Sequence, residues 1–286
     1  MTGIGAYPVD LGVKDVLSGM YGDFDYDDDG IPRYRYPSGL HYNVTFVCHE
    51  ALYELGLYQK TGVGARLNRF LHLADWLLGH GDETAVALHF PYTMPLPQLP
   101  APWISALGQG RAISVLTRAW QATGRDIYLT AAKKALQPFF HRVADGGVQT
   151  AFPDGGVAFE EYPREETNIV LNGLITSLFG VLDLAACGHA KADKLFARAT
   201  QSLSSNFALY DLGYWSAYDL TGPIRRVAGD EYHAYHVQLT WALYELTGDD
   251  QFRAYAYKWS RYRKGARLSV RRTLSRANAM LKYREW

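Results

Sequence analysis

Apolar residues recur at helical spacing from Asn43 onward, and the apolar runs end at regularly spaced glycines. The runs ELGLYQKTG, RAWQATG, LAACG and YELTG end at Gly62, Gly124, Gly188 and Gly248, at intervals of 62, 64 and 60 residues. Glycine just after the last helical turn is a common C-terminal signal, because it adopts positive φ without strain. An amphipathic segment follows each glycine, so the pattern predicts four consecutive helix hairpins.

The two helices of each hairpin differ in polarity. The first is the more apolar, and we place these helices at Val44–Tyr58, Ile104–Ala122, Ile169–Ala186 and His233–Leu246. The second is mixed, and these helices are predicted at Ala65–Leu78, Ile127–Val143, Lys191–Leu209 and Asp250–Arg263. Such pairs stack either in a line or in a closed ring, since neither can bury its apolar face alone. We expect the ring, a mainly α fold of the α/α barrel (toroid) type with the apolar helices inside.

The connections between hairpins are not helical in pattern. They are Thr84–Trp103, Val148–Tyr162 and Leu209–Leu220, and the second folds about Pro153-Asp154-Gly155-Gly156, which predicts a β-hairpin. Each connection joins a second helix to the next first helix, so in a ring all three lie at the same mouth. Because function concentrates in loops on a rigid scaffold, the site is expected there.

The chain divides into three parts by pattern. The pattern predicts an irregular arm or short strands packed on the body at residues 1–41. It predicts the barrel at residues 42–264 and a basic helix or tail at residues 265–286. Within the arm, Asp25, Asp27 and Asp29 precede Gly30, as at the start of a calcium loop. Tyr36 stands where such a loop ends in Glu, so an acidic turn is the favoured interpretation and calcium the alternative.

The formal net charge is zero, but the charge is unevenly distributed. Lys258–Trp286 holds ten of the 29 basic residues and only one acid, Glu285. This tail either contacts an anionic polysaccharide, phospholipid or nucleic acid, or it docks on the body as a helix through Leu268, Leu274 and Leu281. We expect Arg267–Arg284 to be helical and dispensable for catalysis on short substrates. Nucleic acid is not among the partners that we predict.

The remaining composition indicates an ordinary soluble chain. The chain contains no run of about 18 uncharged apolar residues, the length that is needed to span a bilayer. The N-terminus lacks the basic and apolar blocks of a signal peptide. Cys48 and Cys187 fall on apolar helical patterns and are expected to be buried thiols. A cytoplasmic location is therefore expected, and a homodimer remains an open alternative.

The stretch 159–173, FEEYPREETNIVLNG, carries the most suggestive chemistry. Glu160 and Glu161 adjoin Tyr162, and a carboxylate beside a phenol can serve in acid–base catalysis. The alternative is that these two glutamates, with Glu165 and Glu166, form a solvated acidic approach to a helix N-terminus.

Several segments resemble the C-terminal domain of the D-glucuronyl C5-epimerases, which invert C5 of glucuronate within heparosan-type polysaccharides. They are EEYP, VLNG with its apolar helix ending in LDL, YDL at Tyr218–Leu220, EYHAYHVQL at Glu231–Leu239, WISALGQGRAIS at Trp103–Ser114 and, more weakly, GIP and YNVTFVCHEAL at Tyr42–Leu52. They occur in the family's order. The resemblance implies an isomerase that converts D-glucuronate to L-iduronate in a glucuronate-containing oligo- or polysaccharide, by two-sided proton transfer and without a cofactor.

The resemblance also implies site residues. The acid–base groups fall on Glu161, Tyr162, Tyr218 and Tyr232, with Glu161 and Tyr232 expected on opposite faces of the sugar. The remaining two tyrosines would polarise the carboxylate or relay protons. Substrate contacts implied by the matched segments are Asn172, Trp103, Tyr42, Gln109, Arg111, His233 and His236.

This sequence departs from the family at two points. Thr221 follows YDL where members commonly have Arg, so Arg225 or Arg226 is expected to clamp the substrate carboxylate. We expect no counterpart, within these 286 residues, of the family's large N-terminal β portion, which contributes to the substrate cleft in longer members.

Two patterns have a structural alternative. His233 and His236 could hold a metal, but the spacing without a third ligand is more typical of a helix face. Gly108 and Gly110 could admit a ligand, but close helix packing is favoured.

Two other functions remain as alternatives. One is a polysaccharide lyase, which abstracts the same proton and then eliminates the C4 substituent. The other is a non-catalytic glycan-binding scaffold.

Overall fold

The structure, a computed structural model, describes residues 5–11, 24–222 and 225–262. Eight α-helices occur in these ranges and form four hairpins. They are α1 (Val44–Thr61), α2 (Gly64–His80), α3 (Ala106–Thr123), α4 (Asp126–Ala135), α5 (Leu171–Ala186), α6 (Ala190–Asn206), α7 (Asp230–Thr247) and α8 (Asp250–Tyr262). The predicted glycine signals are confirmed, since Gly62, Gly124, Gly188 and Gly248 all have positive φ.

The first helices of the hairpins form the inside of the fold. Helix α1 packs against α3, α3 against α5, and α5 against α7, while each second helix packs on its own partner. Every residue of α3 from Ala106 to Ala119 is buried. The predicted α/α toroid with the apolar helices inside is therefore confirmed.

Four helix predictions ran too far at one end. Helix α3 begins at Ala106 rather than Ile104, and α6 ends at Asn206 rather than Leu209. Helix α4 ends at Ala135 and a 3₁₀ turn, Gln137–Phe140, replaces the rest of the predicted segment, because Pro138 cannot donate a helical hydrogen bond. The predicted start at Ile169 is also wrong: helix α5 begins at Leu171, and Ile169 has a φ of 39°.

Helices α3 and α5 meet at glycines. A Cβ on Gly110 would lie 2.5 Å from the Cα of Ser177, and one on Gly180 would overlap the carbonyl of Gly110. A Cβ on Gly108 would lie 2.7 Å from Val44. The interpretation of these glycines as positions of close packing is therefore confirmed, and no larger side chain fits at the α3–α5 crossing without moving a helix.

Short antiparallel sheets occupy the connections and the arm. Strands β1 (Phe24–Tyr26), β2 (Pro32–Tyr36) and β3 (Gly39–Tyr42) form one sheet in that order. Strands β4 (Asp82–Glu83) and β5 (Leu88–His89) pair with each other, as do β6 (Gln149–Ala151) and β7 (Val157–Phe159), which form the predicted hairpin. Strands β4 and β5 precede α3 along the chain, and β6 and β7 precede α5, so these sheets lie in the connections that lead to the first helices of the hairpins.

The described residues end at Tyr262, so the predicted basic helix or tail at residues 265–286 lies outside them. No helix of the described part is both long and apolar enough to cross a membrane.

Candidate active site

A cavity of about 1070 Å³ opens at the mouth of the toroid. Helices α1 and α7 both contribute to its lining, through residues such as His49 and Tyr232. The connections add Trp103 and Glu161, and strand β2 adds Arg35. The cavity is large for a small-molecule site, where volumes of roughly 300–1,000 Å³ are usual, and it lies where the connections were predicted to converge.

Glu161 follows strand β7 and lies in the cavity wall. Its side chain packs so closely on the N-terminus of α5 that a Cβ at Gly173 would overlap the carboxylate. The residue is 7 % exposed, and its Oε2 has no hydrogen-bond partner among the described residues. Burial raises the pKa of the Glu161 carboxyl to about 7, while hydrogen bonding by Tyr162 and the charge of Arg111 oppose the rise. Such a group can exchange a proton near neutral pH.

Arg111 places a buried positive charge on the same cavity. Its Nη1 donates to the carbonyl of Thr45 at 3.2 Å and lies 3.3 Å from Nδ1 of His49, while Nε has no partner among the described residues. Burial, and then the charge of Arg111, lowers the pKa of His49 to about 3. The neutral imidazole can therefore accept a hydrogen bond from the guanidinium. Tyr235 also hydrogen-bonds to Arg111, so Nε–H is the group that is left for another ligand.

Asn172 supplies a third polar group. It is the second residue of α5, it is buried, and it lines the cavity. Its Oδ1 has no partner among the described residues. Buried polar atoms are nearly always hydrogen-bonded. Three such unpartnered atoms, on Glu161, Arg111 and Asn172, therefore mark one wall of this cavity as a binding surface for polar groups.

The predicted tyrosines lie beside this wall. Tyr162 and Tyr232 line the cavity. Tyr218 packs edge to face on Tyr232, with ring centroids 4.8 Å apart, and the guanidinium carbon of Arg226 lies 4.3 Å from the Tyr218 ring centroid. Nη2 of Arg226 donates to Oδ2 of Asp219 at 2.5 Å. Tyr218 thus supports Tyr232 by edge-to-face packing, and the Arg226–Asp219 ion pair lies behind Tyr218.

Trp103 presents an aromatic surface to the cavity. Its ring stacks on Tyr92 with centroids 4.3 Å apart and planes 9° from parallel, and its Nε1 donates to the carbonyl of Met94 at 2.9 Å. Because the indole N–H is already satisfied, the ring offers an apolar face to a ligand.

The two arginines predicted to replace a clamp after Tyr218 are not among the residues that line this cavity. Nη1 of Arg225 donates to the carbonyls of Leu220 and Gly222, and Arg226 pairs with Asp219 as described above. Among the predicted arginines, Arg111 is the one that the fold brings to the cavity.

Gln109 and Tyr42 also lie away from the cavity. The amide of Gln109 is fully buried, accepting from the N–H of Phe90 and donating to the carbonyls of Leu88 and Ala135. The hydroxyl of Tyr42 donates to Asp27 at 2.6 Å. Gln109 thus holds the first connection to helix α3, and Tyr42 binds the arm through Asp27.

His233 and His236 lie on the opposite side of α7 from the cavity. Nδ1 of His233 accepts from the N–H of Ser216, its Nε2 lies 3.2 Å from the carbonyl of Trp259, and its ring stacks on Trp215. Nδ1 of His236 lies 2.9 Å from Oγ of Ser216. Across the described residues, no three His, Cys, Asp or Glu side chains are placed to hold a metal ion.

Asp25, Asp27 and Asp29 lie in or beside the turn between β1 and β2. Asp25 pairs with Arg33 at 2.9 Å, and Asp27 accepts from the N–H of Ile31 at 2.7 Å. The carboxylates of Asp25 and Asp27 are thus used within the hairpin, in the manner of an acidic turn.

The acidic stretch is not the solvated approach that formed its alternative interpretation. Glu160 and Glu161 are buried, whereas Glu165 and Glu166 are exposed. Sequence reasoning also gave no separate role to Glu160, whose carboxylate binds the backbone at Asn168 and Ile169. One of these two residues, Ile169, is β-branched and has a positive φ, a conformation that costs about 1–3 kcal/mol of free energy.

Known proteins resemble this chain in sequence and in fold. The family described as "D-glucuronyl C5-epimerase C-terminus" matches residues 81–261. A D-glucuronyl C5-epimerase of Caenorhabditis elegans is 33% identical over 219 residues, which cover 69% of this chain and 35% of that protein. An uncharacterized protein of Methanocaldococcus jannaschii is 30% identical over 207 residues, covering 68% of this chain and 66% of that one. The chain therefore spans about a third of the nematode enzyme's length and just under two thirds of the archaeal protein's.

Solved structures share the fold at low sequence identity. Cellobiose 2-epimerase from Bacillus thermoamylovorans superposes with a TM-score of 0.56 at 12% identity, covering 77% of this chain and 59% of that one. The GH76 alpha-mannanase of Bacteroides thetaiotaomicron gives a TM-score of 0.57 at 15% identity, covering 87% and 68%. These likenesses concern architecture alone. The sequence match over residues 81–261 and the 33% identity to the nematode enzyme show that the chain belongs to the D-glucuronyl C5-epimerase C-terminal family.

Proposed function

We propose that this protein inverts C5 of a glucuronate residue in a glycan, by removing the C5 proton on one face and returning a proton on the other. The supporting observation is the group of unpartnered buried atoms on Glu161, Arg111 and Asn172. A uronate carries a carboxylate and hydroxyls, and these are the groups that such atoms would bind. No cofactor is needed for this reaction in principle.

Arg111 is proposed to bind the sugar carboxylate. The C5 proton is weakly acidic, and negative charge grows on the adjacent carboxylate as the proton leaves. A buried guanidinium stabilises that charge strongly because the site excludes water. Arg111 has an unpartnered Nε–H, which can donate a charge-assisted hydrogen bond to the carboxylate.

Glu161 and Tyr232 are proposed as the two proton-transfer groups. Both line the cavity, and they come from different elements, the segment after β7 and the start of α7. With its pKa raised to about 7 by burial, Glu161 can act as a base or as an acid near neutral pH. Tyr162, next to Glu161, and Tyr218, packed on Tyr232, would tune these groups.

Deuterium exchange tests the proposal. A glucuronate-containing oligosaccharide incubated with the protein in deuterated water should gain deuterium at C5 without forming a product that absorbs in the ultraviolet. Glu161→Gln and Tyr232→Phe should each reduce this exchange by about 10²–10⁴-fold, the usual effect of removing a general acid or base. Each should slow one epimer more than the other, when assays start from glucuronate and from iduronate.

Matched controls separate catalysis from folding. Glu165→Gln changes an exposed glutamate of the same segment, and Tyr257→Phe changes an exposed tyrosine on α8, so both should keep full exchange. An unsaturated product would assign a lyase instead, and glycan binding without any exchange would assign a non-catalytic scaffold. Losses below about tenfold for both active-site variants would transfer the roles to Tyr162 and Tyr218.

A further inference from the structure

Glu160 lies directly before Glu161 but uses its carboxylate differently. The residue is 1 % exposed. One oxygen, Oε1, accepts from the N–H of Asn168 at 3.0 Å, and the other, Oε2, accepts from the N–H of Ile169 at 3.1 Å. The carboxylate therefore binds two consecutive backbone amides across a loop of the chain.

The backbone that it binds is strained. Ile169 has a φ of 39°, in the left-handed region that a β-branched residue avoids. Three more hydrogen bonds hold this turn. The hydroxyl of Tyr210 donates to the carbonyl of Ile169 at 2.9 Å, the N–H of Leu220 donates to the carbonyl of Asn168 at 2.7 Å, and Nδ2 of Asn168 donates to the carbonyl of Tyr162 at 2.8 Å.

The strained turn connects three parts of the candidate site. Leu171 follows it closely, begins α5 and donates its N–H to the carbonyl of Tyr218 at 3.0 Å. Asn172 comes next, and Gly173 then packs against the carboxylate of Glu161. A change of φ at Ile169 would therefore rotate the start of α5, and with it Asn172, relative to Glu161.

We propose that Glu160 is a positioning residue, whose carboxylate holds the turn at Ile169 and thereby sets Asn172 and Tyr218 in register with Glu161. This inference rests on the proposed function. It requires a carboxylate, because both oxygens must accept a hydrogen bond. A glutamine accepts through one atom only and would turn its NH₂ group toward the second amide.

The test compares Glu160→Gln with Glu165→Gln, an exposed glutamate of the same segment. Amide hydrogen exchange and C5 deuterium incorporation are measured at pH 8 on each full chain. For Glu160→Gln, protection of residues 168–173 should fall at least about tenfold, because the loss of either bond lets the strained turn open. The kcat should fall about 10–100-fold with KM within about twofold, as expected for misplaced rather than missing catalytic groups. Glu165→Gln should match the unaltered protein in all three.

A double-mutant cycle with Asn172→Ala distinguishes positioning from general destabilisation. If Glu160 acts by placing Asn172, the double variant should lose little more kcat than the worse single variant. Independent losses that multiply, or unchanged protection of residues 168–173, would overturn the inference. If the unaltered protein shows no C5 exchange at all, the proposed function fails. The amide exchange would still show whether Glu160 holds the turn.

Discussion

Two buried arginines on helix α3 differ in whether the fold neutralises their charge. Arg111 and Arg118 are both buried and lie seven residues apart, which places them two turns apart on nearly the same face. Arg118 donates to both oxygens of Asp183 at 2.9 Å and to the carbonyl of Gly5 at 2.9 Å. Arg111 makes no ion pair within the described part of the chain, and its Nε is unpartnered. A buried charge that the fold neutralises supports the structure, whereas one left open is available to a ligand.

The largest effect is expected at the neutralised arginine. Arg118→Ala should lower the free energy of unfolding by about 3–5 kcal/mol, because it leaves the Asp183 carboxylate buried without a partner. Urea denaturation measures the loss, and C5 exchange per folded molecule should stay within about twofold. Arg125→Ala is the matched control. Its ion pair with Asp75 is half exposed, so the loss should stay below about 1 kcal/mol. Equal losses for the two variants would remove the distinction.

The open arginine should behave in the opposite way. Arg111→Ala should lower kcat/KM for C5 exchange by about 10²–10³-fold, equivalent to about 2.7–4 kcal/mol, since it removes charge stabilisation in the transition state. Unfolding free energy should change by less than about 1 kcal/mol, because removing a buried charge without an ion pair offsets the lost hydrogen bonds to Thr45 and His49. Arg111→Lys should fall between the unaltered protein and Arg111→Ala, as lysine keeps the charge but not the guanidinium geometry. Near-normal kcat/KM in Arg111→Ala would show that the open charge serves another purpose.

A smaller effect is expected at Glu161, through pH. Its pKa is raised by burial to about 7 from an ordinary 4.5, so the folded state favours the protonated form. This contribution to stability is fully present below about pH 4.5 and is lost as pH rises through 7. Glu161→Gln should therefore be more stable than the unaltered protein by about 1–3 kcal/mol at pH 8 and equally stable at pH 4.5. Denaturation at both pH values measures the difference, and a variant less stable at pH 8 would contradict a Glu161 pKa raised by burial.

The architecture was predictable because its signals are local. Periodic apolar residues and the glycines after them, such as Gly62 and Gly124, specify a helix and its end without information from distant parts of the chain. One prediction failed because long-range hydrogen bonds determine the backbone conformation. Ile169 reads as helical in sequence, yet Glu160 and the Tyr210 hydroxyl hold it in the left-handed region.

The site was predictable in part, because motifs give residues but not directions. Gln109 and Arg111 occur in one matched segment, and their spacing of two residues places them on opposite faces of α3. Only the packing of the ring decides which of them meets the cavity. The same holds on α7, where Tyr232 and Tyr235 line the cavity and His233 turns to Ser216.

The glycine crossing of α3 and α5 also determines which parts of the cavity protein engineering can change. Gly110 precedes Arg111, and any larger side chain there would meet the backbone of Ser177, so substitution would displace the residue that we propose to bind the substrate carboxylate. Strand β2 has no such constraint: Tyr34, Arg35 and Tyr36 line the cavity from a small sheet at its edge. Libraries that seek a new glycan preference should therefore vary residues 34–36 and keep the glycines of the crossing fixed.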